Sequence, residues 1–282
     1  MNGRGTEEVK EDRKMSLGKV YLVGAGPGDP GLMTLKGKAL LECADVVIYD
    51  ALVSPQILAA INPEAVRIDA GKRKGRHSLM QDETTELLIE KAQDNAIVVR
   101  LKGGDPFIFG RGGEEMEELV KAGVAVEVVP GVTSGIAAAA YAGIPLTHRS
   151  YSSSVTFVTG HESAGKYRPE VNWQAIARGS ETIVVYMGIH NLPYIIGELT
   201  AAKLSAETPV ALVRWGTRPE QEELIGTLGT IVEQVEVTGF SAPAIAVIGN
   251  VVNLHSILSG CRPIDKTAVE TASTQTKSAS AD

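Results

Sequence analysis

The chain has 282 residues, 44% of them hydrophobic and 22% charged, and a formal net charge of -7. That is enough apolar material for one or two globular cores, and the acidic balance argues against a general nucleic-acid or membrane-surface binder, which needs an excess of Lys and Arg. Cys43 and Cys261 lie far apart with no Cys-x-x-Cys pair, so no metal site or disulfide framework is expected, and no apolar run reaches the roughly 20 residues of a membrane span.

Residues 1–17 are polar and charged, without the apolar centre of a signal peptide. They read as a disordered arm, with Met15 as a candidate start, and the chain reads as cytoplasmic. Strand Val20–Val23 runs into a glycine loop, and a helix follows over Leu32–Cys43 with Thr34 as a candidate cap. Next come strand Val46–Tyr49, a short helix from Pro55 to Ala60, strand Val66–Asp69 and helix Glu83–Gln93. Strand Ile97–Leu101, helix Glu114–Lys121 and strand Val126–Val129 complete a first half. Glu114 and Glu115 suit the positive end of that helix dipole. Val46–Tyr49 and Ile97–Val99 are continuously apolar, the pattern of strands buried on both faces of a parallel sheet.

After the break at Pro130–Gly135 an alanine-rich helix covers Ile136–Ala142. A second strand–helix run follows. It takes in Val155–Thr159, Trp173–Arg178, Ile183–Met187, Leu192–Ala202, Val210–Trp215, Glu223–Ile225, a helix near Leu228–Val235 and strand Ala244–Ile248. The alternation predicts an α/β fold of two domains, 18–136 and 137–262. Residues 263–282, rich in Ser, Thr and Ala, read as a disordered tail. No internal repeat is evident.

Three loops carry the chemistry. Gly24-Ala25-Gly26-Pro27-Gly28-Asp29-Pro30-Gly31 follows strand one. Its spacing is not the Gly-x-Gly-x-x-Gly of dinucleotide binders, Pro27 removes an N–H, and Asp29 would repel a pyrophosphate, all of which disfavour a nicotinamide cofactor. Leu101-Lys102-Gly103-Gly104-Asp105-Pro106-Phe107-Ile108 leaves a strand at its carboxyl end, where α/β sheets bind ligands. Bare backbone at Gly103 and Gly104, a carboxylate at Asp105 and an apolar wall at Phe107 and Ile108 suit a ligand with an amino-acid end, a ribose and a purine. S-adenosylmethionine is one such ligand. Val129-Pro130-Gly131-Val132-Thr133-Ser134-Gly135 opens the alanine-rich helix, where Thr133 and Ser134 serve either as caps or as ligand contacts.

These loops, in this order, resemble the tetrapyrrole methylase family. The match extends through Val47-Ile48-Tyr49-Asp50, Gly71-Lys72-Arg73, Gly143-Ile144-Pro145-Leu146-Thr147-His148-Arg149, Val158-Thr159-Gly160-His161 and Tyr186-Met187-Gly188, from about Gly18 to about Leu254. The resemblance is to the members that methylate uroporphyrinogen III at C2 and C7, giving precorrin-2 for sirohaem or cobalamin. It implies S-adenosylmethionine as donor, S-adenosylhomocysteine as product, a homodimer, and a cofactor cleft between two α/β domains. By the family pattern, Pro27, Gly103, Gly104, Asp105, Ile108, Thr133, Ser134, Met187 and Gly216 match cofactor-binding positions. Ser134 stands where alanine is usual, and Val213-Arg214-Trp215-Gly216 departs from the commoner Glu-Asn-Gly version. Asp50 and Lys72 match the positions assigned as proton acceptor and proton donor.

The chemistry is consistent with that pattern. A sulfonium methyl needs no metal, the acceptor carbon is an electron-rich pyrrole position, and a proton must then leave. Asp50, at the end of its strand, can accept it or stabilise the cation, and is also an ordinary strand-end turn residue. Lys72 can move a proton or bind a substrate carboxylate. The acceptor carries eight carboxylates, and Arg73, Arg111 and Arg149 are the candidate substrate-binding residues, with Lys74, Arg76 and His77 nearby. His148 and His161 are either substrate contacts or structural. The competing readings are another family member (a later precorrin methylase, or one acting on diphthine or ribosomal RNA), a non-catalytic nucleotide-binding regulator and a nicotinamide-dependent oxidoreductase.

Overall fold

The computed structural model describes residues 18–71, 81–160 and 171–260. The candidates Lys72 and Arg73, together with Lys74, Arg76, His77, His161 and both expected tails, lie outside the described residues.

Two five-stranded sheets organise the chain. The first contains β1 (Lys19–Gly24), β2 (Val46–Tyr49), β3 (Val66–Asp69), β4 (Ile97–Lys102) and β5 (Ala125–Val129), in the order β3-β2-β4-β1-β5. All its pairings are parallel. Helices α1 (Leu35–Cys43) and α2 (Pro55–Leu58) cover one face, where Leu41 and Ile57 join Val23, Val47, Val99 and Leu101. Helices α3 (Gln81–Asp94) and α4 (Gly112–Lys121) cover the other, where Leu88 and Leu119 join Val20, Leu22, Val46, Ile48 and Val98. Burial on both faces accounts for the unbroken apolar strands. Local signals set the helix starts: Thr34 Oγ1 accepts the Gly37 N–H at 3.1 Å, and Ser54 caps α2 with Pro55 in its first turn.

Helix α5 (Ser134–Tyr141) leads into the second sheet, which contains β6 (Val155–Thr159), β7 (Thr182–Tyr186), β8 (Pro209–Arg214), β9 (Glu222–Thr227) and β10 (Ala244–Ile248). The order is β6-β7-β10-β8-β9. Here only β6 and β7 pair in parallel; the other three pairings are antiparallel. Continuous apolarity reports burial, not strand direction, so the sequence pattern does not distinguish the two. The stretch Glu223–Ile225 is part of β9, which pairs with β8 as a hairpin. The following helix, α8 (Ile231–Thr238), starts later than the sequence pattern suggests because Leu228 is spent on the core.

Helices α6 (Trp173–Gly179), α7 (Leu192–Ala201) and α8 pack on one face around Trp173, Ile195, Leu199 and Ile231. On the other, α5 and the 3-10 turn Asn250–Leu254 bury Ala138, Ala139, Val251 and Val252. A further short helix, α9 (His255–Leu258), is tied to the end of α5 by a 2.7 Å hydrogen bond between His255 Nδ1 and the Ala142 carbonyl oxygen.

Candidate active site

The carboxyl ends of β1, β4 and β5 converge, and their three loops cross with almost no space between backbones. Gly26 and Gly104 exchange N–H···O bonds of 3.1 and 2.8 Å, joining the first two loops. A Cβ on Gly24 would lie 2.5 Å from the Gly131 nitrogen and 2.7 Å from the Gly104 carbonyl oxygen, so only glycine allows this crossing. Asp105 fastens the third loop: Oδ2 accepts the Gly131 N–H at 3.0 Å, and Oδ1 accepts those of Phe107 and Ile108 at 2.8 and 3.2 Å. Its carboxylate is thus a structural stitch as well as a wall of the site.

The second half meets this crossing through Tyr186, at the end of β7. Its hydroxyl accepts the Gly135 N–H at 2.9 Å and lies 2.7 Å from Thr133 Oγ1, and its ring sits 4.8 Å from that of Phe109. One N–H at the start of α5 is therefore used internally. Burial raises the Tyr186 pKa, keeping the hydroxyl neutral. A second bridge is Asp29, whose carboxylate accepts from Tyr141 Oη at 2.9 Å while its backbone N–H donates to Thr217 Oγ1 at 3.1 Å.

Between the halves lies a cleft of about 450 Å³, within the roughly 300–1,000 Å³ usual for small-molecule sites. Pro27, Gly103, Gly104, Asp105, Ile108, Thr133, Ser134, Met187 and Gly216 all line it. So do Leu52, Phe109, Tyr186, Trp215 and Arg218, which the sequence reading did not single out as ligand contacts. Phe109, Met187 and Trp215 hold φ values of 53°, 54° and 49°, and Arg111 and Thr217 beside them hold 59° and 71°. Left-handed backbone at bulky residues is costly and gathers at functional sites.

Asp50, Arg111 and Arg149 stand outside the cleft lining. Asp50 follows β2, two residues before the cleft-lining Leu52. Arg100 Nη2 donates to its Oδ1 at 2.5 Å. Arg100 Nε and Lys102 Nζ both donate to Glu115 Oε1, at 3.2 and 2.9 Å. Arg100, Lys102 and Glu115 are buried, so two cations and two carboxylates form a charge-balanced layer where the apolar core of the first half ends. Burial opposes the Arg100 charge, but Asp50 and Glu115 outweigh it and its pKa is raised. Lys102 goes the other way, lowered by burial and by Arg100. Arg111, at the start of α4, forms an ion pair with Glu114. Arg149 is exposed on the turn held by the His148–Ser152 backbone bonds.

The cleft fits S-adenosylmethionine by its shape and lining: bare glycine backbone on one side, apolar walls, and few polar groups. Among the described residues no group of His, Cys, Asp and Glu side chains is placed to hold a metal ion.

A family model described as tetrapyrrole (corrin/porphyrin) methylases matches residues 19–232. The chain is 71% identical over 237 residues to a uroporphyrinogen-III C-methyltransferase of Synechocystis sp., covering 84% of this chain and 90% of that one. It is 51% identical over 247 residues to a siroheme synthase of Yersinia enterocolitica, covering 87% of this chain and 51% of that longer protein. A solved uroporphyrin-III C-methyl transferase from Thermus thermophilus, complexed with S-adenyl homocysteine, matches with a TM-score of 0.73 at 40% identity, over 84% of this chain and 100% of that one.

Proposed function

This chain belongs to the tetrapyrrole (corrin/porphyrin) methylases, and from that premise we infer that it is an S-adenosylmethionine-dependent C-methyltransferase acting on uroporphyrinogen III. The reaction serves sirohaem or cobalamin synthesis, and two transfers, at C2 and C7, give precorrin-2. The observation that carries this reading is the single cleft into which nine separately motif-matched positions converge.

When bound, the donor supplies an electrophilic methyl group on sulfur. The protein's part is to place it and to manage charge. The Gly103–Gly104 backbone and the Thr133–Ser134 turn would hold the donor, with Ile108 and Met187 supplying apolar wall. Tyr186 locks the two halves around it. Asp50, held by Arg100, takes the proton that the methylated ring must lose, or balances the ring's charge before that loss. Arg111 and Arg149 are assigned to the acceptor's carboxylates, as are Arg73 and Lys72 on the segment after β3. Lys72 also stands as proton donor by its match to the family. Among the described residues no helix is long and apolar enough to cross a membrane, and a cytoplasmic site for the reaction is part of the proposal.

Acceptor chemistry supplies the test. Porphyrinogen pyrroles are electron-rich and isolated, whereas the oxidised porphyrin shares its electrons around the macrocycle. With methyl-labelled donor under anaerobic conditions, label is expected in uroporphyrinogen III and not in uroporphyrin. Donor binding with no label in either would remove the acceptor assignment and leave a methyltransferase for another substrate.

A further inference from the structure

Arg218 lies in the loop between β8 and β9 and lines the cleft. Its guanidinium sits over the Trp215 ring, 4.6 Å from the ring centre. Its stem runs along Gly28, where a Cβ would come within 2.6 Å of Arg218 Cγ, so glycine at 28 is what lets the side chain lie down. Nη2 donates to the Leu52 carbonyl oxygen, on the loop that begins at Asp50. One surface of the guanidinium, its tip and its stem are thus fixed in place by the protein.

Among the described residues no carboxylate forms an ion pair with this cation. Nε is buried and meets no hydrogen-bond acceptor among the described residues. Glu220 is the carboxylate that acts on Arg218 through space, and it forms no ion pair with it. Burial pulls the guanidinium below the usual arginine pKa, against the opposing effect of Glu220. A half-buried charge with no paired counter-ion among the described residues is unfavourable, and an immobilised planar fork is well shaped to take a carboxylate.

We propose that Arg218 is a carboxylate-binding residue of the cleft, completing its ion pair with a ligand. Two sources offer that chemistry: the amino-acid carboxylate of the methyl donor, and an acetate or propionate arm of the acceptor. The stacking surface and the cation come together within the Trp215-Gly216-Thr217-Arg218 run. The inference rests on the reading of the cleft as the donor site.

The experiment compares the wild-type chain with Arg218→Gln and Arg218→Lys. Each is titrated calorimetrically with S-adenosylhomocysteine and with 5′-methylthioadenosine, which lacks the amino-acid end. KM and kcat for uroporphyrinogen III are measured on the same preparations. Loss of about tenfold in S-adenosylhomocysteine affinity in the Gln variant, with methylthioadenosine unchanged and partial recovery in the Lys variant, assigns the donor carboxylate. Unchanged donor affinity with about a tenfold rise in KM, kcat being kept, assigns an acceptor arm. Equal weakening of both nucleosides, or no change beyond twofold in any constant, overturns the proposal and leaves Arg218 as a strap between loops. A wild-type chain that binds neither nucleoside would instead refute the donor site itself.

Discussion

Asp50 is held by one short charge-assisted contact, to Arg100, and Arg100 is held in turn by Glu115 and by the Ile48 and Leu101 carbonyl oxygens. Asp50→Asn keeps an oxygen for Arg100 but cannot accept a proton. It is expected to lower kcat by roughly 10²–10⁴-fold while S-adenosylhomocysteine affinity stays at the wild-type value. Turnover within a few-fold of wild type would end the assignment of Asp50 to proton transfer. Tyr141 carries a pH signature. Burial first, and Asp29 second, push its pKa up to about 12, against 10 for a free tyrosine. The folded state therefore holds this proton more tightly than the unfolded one. The contribution is complete below pH 10 and is lost as pH rises toward 12. An ultraviolet phenolate titration should show a late component that Tyr141→Phe removes, with a loss of about 1 kcal/mol of stability at neutral pH.

At this scale the sequence revealed residue types better than partners. Asp50 and the glycines stand out because each ends a strand. Arg100 and Lys102 sit inside an apolar strand, and their partners are contributed by β2's end and by α4, so nothing local announces the pairing. Arg218, Trp215 and Tyr141 acquire their roles only from contacts across the two halves.

Elements explain why the site is where it is. Three parallel strands end together, and their loops can cross only because Gly24 and Gly131 have no side chains, while Gly104 takes a left-handed φ of 71°. Gly131→Ala forces a methyl into this crossing. Overpacking of this kind is expected to destabilise the protein by about 1–3 kcal/mol and to weaken donor binding at the same time. Calorimetry and thermal melts read the two effects together. Normal binding in the variant would show that the crossing does not shape the cleft. The first sheet was legible because both its faces are covered and its loops carry glycine signals. The second was legible as strands and helices but not as a mixed sheet, because a fully buried strand looks alike in either direction. The strand β9, with polar residues in its run, offered weak alternation, and its hairpin partner is β8 across the loop that holds Arg218.

Two halves with separate cores make the whole molecule, joined along the cleft by Tyr186 to Thr133 and Gly135, Tyr141 to Asp29, Asp29 to Thr217 and Arg218 to Leu52. Helix α5 begins within reach of the first half and lies on the second sheet. The cores should be independently sensitive: Leu88→Ala in the first and Leu199→Ala in the second are each expected to cost about 2–5 kcal/mol, since both side chains are fully buried. Denaturant melts that show no loss for either would contradict the packing. The homodimer implied by the family resemblance predicts twice the chain mass in sedimentation.

Double carbon methylation leaves its record in the product. Wild-type protein, uroporphyrinogen III and S-adenosylmethionine are combined without oxygen, and the tetrapyrrole is followed by mass and by carbon-13 resonance from a labelled donor methyl group. The expected product is heavier by two methylene units, with label at C2 and C7, and forms through a singly methylated intermediate. A donor that binds in the cleft while the tetrapyrrole gains no methyl group, or gains it on a carboxylate oxygen, would contradict this assignment.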